Sequence, residues 1–234
     1  MFKNLFNSKK EDVPAAPLIN DERELAMVES DTTLNEATRS EIPIPEDPDY
    51  LLNSPEVVGW LSVEEQELLF SALILFYTPE QSILDVGCGR ADLFGYLRDL
   101  FLSNINYQGI DLNENMVNLA QQKYPGVNAV AGDIQLTSVE KADWVVGSGL
   151  FNLKDHPDME EYAKKIIDVM LDKCNIGIAF NLLTGTPEDM ADEDIAQLHI
   201  HSPSRWLDYL IEKYSKVICR ADYLSGDVTF FILK

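Results

Sequence analysis

Downstream of Ser62 the apolar positions switch between a helical period and runs of four to six, and the runs end in glycine or an acid. Ser62-Val63-Glu64-Glu65 has the form of a capping box. Leu68, Leu69, Ala72, Leu73 and Phe76 then line one helical face, which Thr78-Pro79 terminates. Strands are predicted from Ser82, over Asn106 to Asp111, over Val127 to Ala131, and from Ala142 into the loop that starts at Gly147. Between the second and third, Asn113 N-caps a helix to Tyr124 with Met116, Leu119 and Ala120 on one face. A helix over Met159 to Leu171 and a fifth strand over Ile176 to Asn181 follow. Ser202-Pro203 opens a last helix through about Glu212. Strands over Lys216 to Arg220 and Val228 to Leu233, joined by a turn at Ser225-Gly226-Asp227, are close enough to be antiparallel. Alternating strands and helices closed by a hairpin predict an α/β fold: a seven-stranded, mostly parallel sheet with an antiparallel C-terminal strand and helices on both faces.

Most of the chemistry is concentrated where the first strand breaks. In Ser82-Ile83-Leu84-Asp85-Val86-Gly87-Cys88-Gly89-Arg90-Ala91-Asp92, the glycines admit backbone angles barred to other residues and let a ligand approach the main chain. A dinucleotide fingerprint would put its third glycine at Asp92, where a carboxylate instead repels a pyrophosphate; this argues against a nicotinamide-dependent oxidoreductase. Asp85 points toward a ligand with a cationic end. Asp111 closes the second strand, where a carboxylate can accept both ribose hydroxyls. Asp133 closes the third. Each of these two acids has a second reading as the cap of the helix after its strand.

In these residues the chain resembles the class I S-adenosylmethionine-dependent methyltransferases, whose first motif is an acid, a spacer and Gly-x-Gly-x-Gly. Leu84 to Gly89 fit it, and Ala91 stands where the last glycine would be. The resemblance covers roughly residues 57–234, by motif through Gly149 and by strand pattern beyond. It implies a Rossmann-like sheet and S-adenosyl-L-methionine as cofactor. By the same resemblance Asp85, Gly87 and Gly89 hold the methionine end, Asp111 the ribose and Asp133 the adenine amino group. Cys88, Leu112, Met116, Ile134 and Ser148 complete the implied cofactor set. The loop Gly147 to Lys154 stands where the family meets its methyl acceptor. It lacks the Asp-Pro-Pro-Tyr and Pro-Cys patterns of the DNA enzymes. Phe151 and Asn152 are candidates to flank a substrate, with Phe151 equally readable as a core ring. His199 and His201 lie where the chain would bridge over the site. They are candidates to take a proton from the acceptor, against an ordinary surface or capping role. If that stretch is extended, both fall on one side.

Composition bounds the rest. With 234 residues, 46% of them hydrophobic, the chain supports one sizeable α/β domain. A net charge of −22, from 40 acids and 18 bases, argues against nucleic acid as a partner. Cys88, Cys174 and Cys219 have no paired spacing, so neither a disulfide framework nor a zinc site is expected; Cys174 and Cys219 read as strand-packing residues. No run is long and apolar enough to span a bilayer, and the first residues lack the apolar core of a signal peptide; a cytoplasmic protein is expected. Residues 1–55 read as an acidic, proline-containing extension, and 56–234 as the methyltransferase-like domain. Within the extension, Ile42-Pro43-Ile44-Pro45 and Asp49-Tyr50-Leu51-Leu52 offer apolar groups that would dock on the domain or on a protein partner. The expected function is methyl transfer to a small molecule or a protein. The alternative is a methyltransferase-like scaffold anchored by the extension.

Overall fold

The computed structural model describes residues 47–186 and 195–234; most of the extension, Ile42 to Pro45 included, lies outside the described residues. Helix α1 (Pro48–Asn53) and a 3-10 helix (Pro55–Val58) lead into α2 (Val63–Leu73), β1 (Ser82–Val86), α3 (Asp92–Phe101), β2 (Asn106–Asp111), α4 (Glu114–Lys123), β3 (Ala129–Ala131) and β4 (Ala142–Gly147). Then come α5 (Met159–Lys173), β5 (Cys174–Leu183), α6 (Pro203–Lys213), β6 (Val217–Arg220) and β7 (Asp227–Leu233). One seven-stranded sheet has the order β3-β2-β1-β4-β5-β7-β6. β7 runs antiparallel to both β5 and β6, and the pairs from β3 to β5 are all parallel. The sheet is therefore the predicted one; the last strand lies between β5 and β6, and runs antiparallel to β6 because the six-residue link is too short for a parallel crossover.

Strand alternation divides the interior into two cores. Leu84, Val86, Ile110, Val145, Ile178, Phe180 and Phe230 face α5 and α6. Ile83, Tyr107, Trp144, Val146, Ala179 and Phe231 face α2, α3 and α4. The caps behave as the sequence anticipates: Ser62 Oγ accepts from the Glu65 amide and Asn113 Oδ1 from the Asn115 amide. Two details differ. Val117, not Leu119, is the buried partner of Ala120 on α4. Cys219 is exposed on the edge strand β6 and packs no core, whereas Cys174 is buried as expected.

The boundary expected at 55/56 falls inside the 3-10 helix, between Pro55 and Glu56. Asp47 caps α1 through the Asp49 amide, and the Leu51 carbonyl accepts from Arg90 Nη1 at 2.8 Å. From there Val58 and Trp60 pass over the end of the sheet, Val58 beside Gly89 and Trp60 beside Gly149.

Candidate functional site

The strand order reverses between β1 and β4, and parallel sheets bind ligands past their carboxyl edge at such a point. The β1–α3 turn lies there. Gly87, Gly89 and Ala91 all have left-handed backbone, with φ of 71°, 53° and 58°. A Cβ on Gly87 would meet only the tip of Leu150, at 2.9 Å from Cδ1, so it is the left-handed conformation that favours glycine there. Ala91 shows what its position demands. It is fully buried, and for a residue with a Cβ its left-handed conformation costs about 1–2 kcal/mol. Ala91→Gly is thus expected to raise stability by up to about 1 kcal/mol, the rest being offset by glycine's extra chain entropy. An unchanged or lower urea midpoint would contradict this.

The turn is laced to β2. The amides of Gly87 and Cys88 both donate to the Ile110 carbonyl, and the Gly89 amide donates to Asp111 Oδ2 at 2.8 Å. Asp111 Oδ1 accepts from the Asn113 amide, also at 2.8 Å, so one carboxylate ties the glycine turn to the start of α4. Asp133 caps the turn after β3, accepting from the Gln135 amide. Neither acid is a helix cap, since Asn113 caps α4 and, among the described residues, no helix stands between β3 and β4; both make turn contacts at the ends of their strands.

Asp85 differs from these surface-edge acids. It is 2% exposed and sits in the second core beneath the turn. Its partner is Tyr107, whose hydroxyl donates to Asp85 Oδ2 at 2.8 Å. Gly109, opposite Asp85 in the β1–β2 register, makes this possible: a Cβ there would lie 2.9 Å from the Tyr107 hydroxyl and 2.8 Å from Cys88 Sγ. Burial pushes the Asp85 carboxyl up to about 7, with Tyr107 opposing and Asp111 and Asp92 adding to the rise. Burial also pushes the Cys88 thiol up, so it stays protonated at neutral pH.

Asp85, Gly87, Cys88, Gly89 and Ser148 line one cleft together with Trp60. Its enclosed part is small, about 50 Å³. Ser148 Oγ is buried there without a hydrogen-bond partner, an arrangement that a native interior tolerates rarely and that a ligand would relieve. Trp60 is a wall of this cleft. Leu112 is 63% exposed beside the strand end and Met116 is half-buried. The Ile134 side chain is buried in the first core.

A second cavity of about 340 Å³ opens between the loop after β4 and the segment before α6, with Lys154, His156, Met159, Glu160 and His199 on its walls. Those two stretches are clamped together. The Lys154 amide donates to the Gln197 carbonyl and the His199 amide to the Asn152 carbonyl, each at 2.8 Å, flanking an antiparallel bridge between Leu153 and Leu198. Asn152 Oδ1 accepts from the Leu183 amide, so this side chain fixes the loop to β5.

The two histidines do fall on one side, ring to ring at 4.4 Å, but their chemistry differs. His201 is 3% exposed; Trp206 Nε1 donates to its Nδ1, so its Nε2 is the donor to the Phe151 carbonyl. Both nitrogens of His201 are used within the protein, and its pKa is lowered chiefly by burial. Phe151 follows the second of its two readings, as a core ring: it is fully buried, edge-on to Phe180. His199 lines the cavity, and its Nε2 is enclosed without a partner.

Residues 83–172 match a family described as "Methyltransferase domain". The Mycobacterium tuberculosis protein named "Putative methyltransferase Rv1506c" is 31% identical over 159 residues, which are 65% of this chain and 93% of that one. The chain belongs to the class I S-adenosylmethionine-dependent methyltransferases. S-adenosylmethionine is accordingly its cofactor. Solved methyltransferases share the fold at low identity. The magnesium protoporphyrin IX methyltransferase of Synechocystis PCC 6803 aligns with TM-score 0.57 at 14% identity, over 80% of this chain and 97% of that one. The plantazolicin methyltransferase BpumL aligns with TM-score 0.54 at 16% identity, over 73% and 83%. Among the described residues no helix is long and apolar enough to cross a membrane, and no group of acids, histidines and cysteines is placed to hold a metal.

Signals for several cleft residues were absent from local sequence. Trp60, Gln66 and Phe70 reach the cleft from the chain before β1, and only the packing of that segment over the glycine turn brings them there.

Proposed function

We propose that this methyltransferase acts on a small molecule held in the cavity beside His199, with its cofactor seated across the ends of β1 to β4. The observation that carries the cofactor seat is the buried Asp85 carboxylate under a glycine turn, next to the unpartnered Ser148 hydroxyl. A cationic amino-acid group entering there would restore a counter-charge to Asp85. Asp111 would accept from the ribose hydroxyls through lone pairs that its two amide contacts leave free, and Asp133 would accept from the adenine amino group. Leu112 and Met116 would cover the base.

The bound cofactor supplies a methyl group on a sulfonium, ready for in-line displacement. The protein's own contribution is orientation, which in well-aligned cases is worth up to about 7–11 kcal/mol. His199, with a ring nitrogen left free, would take the proton that an oxygen or nitrogen acceptor gives up. A cavity of about 340 Å³ is the size of a small-molecule site and favours such an acceptor over a protein segment. The solved relatives named for magnesium protoporphyrin IX and plantazolicin methylation are consistent with this.

Calorimetric titration of S-adenosylmethionine and S-adenosylhomocysteine into the full chain tests the seat. Micromolar binding is expected, weakened about tenfold or more in Asp111→Asn, in line with lost charge-assisted hydrogen bonds. A folded protein that binds neither compound would overturn the reading.

A further inference from the structure

We propose that Asp227, acting through Asn181, is a positioning residue that sets the Gly149 amide and with it the Ser148 side of the cofactor cleft. The inference rests on the cofactor seat proposed above. It begins with topology: because β7 runs antiparallel, its first residue arrives at the carboxyl edge, opposite Leu183, the last residue of β5. A sheet of parallel strands alone would leave no strand start there. Asp227 is 5% exposed, and Asn181 is fully buried.

The two side chains form a relay into the loop after β4. Asn181 Nδ2 donates to Asp227 Oδ1 at 2.7 Å, and the Gly149 amide donates to Asn181 Oδ1 at 2.7 Å. An amide side chain has a donor end and an acceptor end of nearly equal size, and the Gly149 N–H can bond only to the oxygen. An ionised carboxylate only accepts. While Asp227 is ionised, Asn181 must turn its NH2 toward it and its oxygen toward Gly149. Protonated Asp227 can donate as well as accept, and the orientation is then held by the Gly149 amide alone.

What this controls is adjacent to the ligand. Gly149 follows Ser148, whose hydroxyl lines the cofactor cleft without a partner, and Trp60 lies against Gly149. The far end of the same loop is pinned to β5 through Asn152 and Leu183, so the Gly149 bond completes its attachment. The titratable groups facing Asp227 are Glu65 from α2 and Tyr223 from the turn before β7. Burial first, and Glu65 second, push the Asp227 carboxyl up to about 6, which places the change of state between pH 5 and 7.

The relay is tested without cofactor by following the Gly149 amide in 1H–15N spectra of the full chain from pH 5 to 8. Its resonance is expected to titrate with a midpoint near 6, to stop titrating in Asp227→Asn, and to keep titrating in Asp85→Asn. The consequence is tested with S-adenosylhomocysteine. Asp227→Asn is expected to bind it about tenfold more weakly at pH 7.5 with no loss of melting temperature. The exchanged pair Asn181→Asp with Asp227→Asn keeps an acceptor for Gly149 and is expected to recover most of the affinity. A Gly149 amide indifferent to pH, or Asp227→Asn binding as the parent does, overturns the positioning role. Failure of the parent to bind at all instead overturns the cofactor seat, and the amide titration still decides the relay.

Discussion

Asp85→Asn is expected to make the ligand-free protein more stable at pH 8 and a poorer cofactor binder. The folded carboxyl titrates at about 7 against an ordinary 3.8, because burial disfavours its ionised form. With the folded value raised, the native state binds the extra proton. The contribution to stability is complete below about pH 3.8, falls as pH rises, and is gone above 7. The loss amounts to roughly 4 kcal/mol at pH 8, taking about 1.4 kcal/mol for each tenfold change in proton affinity, and is a large share of a typical total of about 5–15. An asparagine carries no charge to desolvate, and its oxygen still accepts from Tyr107. Its unpaired NH2 offsets part of the gain, by about 1–3 kcal/mol. Urea midpoints should therefore favour the variant at pH 8 and converge with the parent at pH 4. S-adenosylhomocysteine affinity should drop by about 10- to 100-fold, the worth of a charged hydrogen bond of about 1.5–3 kcal/mol. A variant that is destabilised at pH 8 and still binds normally would show that Asp85 serves the fold and not the ligand. The native acid lowers the stability of the empty protein, a cost typical of binding sites.

Arg90→Ala is expected to be the most destabilising substitution near the site. Arg90 is 1% exposed; its Nε and Nη2 donate to Asp92 Oδ2 at 3.2 and 3.0 Å, and Nη1 donates to the Leu51 carbonyl. Asp92 also takes Lys123 Nζ at 2.6 Å and Gln66 Nε2 at 3.4 Å, so one carboxylate gathers α2, α3, α4 and the segment before them. Removing one partner of a buried ion pair costs about 3–5 kcal/mol, because the remaining groups lose their compensation. The melting temperature should fall by about 10 °C, taking roughly 2–4 °C per kcal/mol for a domain of this size. Arg90→Lys restores the charge without the planar fork that serves both acceptors, and should recover less than half of the loss. A loss below about 1 kcal/mol in the alanine variant would mean that the Leu51 contact contributes little to holding α1. The acid that displaces the dinucleotide glycine thus has an inward task, which its spacing alone does not reveal.

The sequence was informative wherever structure follows from neighbours in the chain. Glycines at 87 and 89, acids at the ends of β1, β2 and β3, the caps at Ser62 and Asn113, and the alternation of strand residues are local preferences, and they led to the right sheet. Even β7's direction was legible, since a short link admits only an antiparallel return. Side-chain roles at long range were not. Phe151 and His201 look like site residues in a loop, yet lie in the core because the loop after β4 folds inward onto β5 and α6. Asp227 and Asn181 are 46 residues apart, and Arg90 and Leu51 are 39 apart; nothing in either neighbourhood announces the pairing. Local sequence by itself determined which elements form and where the glycine turn opens at the sheet edge, because backbone freedom, capping and periodicity act over a few residues. Only the tertiary structure decided which acids are buried, which histidine keeps a free nitrogen and which carboxylate orients the loop, because burial and hydrogen-bond partners are set by segments that the chain brings together from far apart.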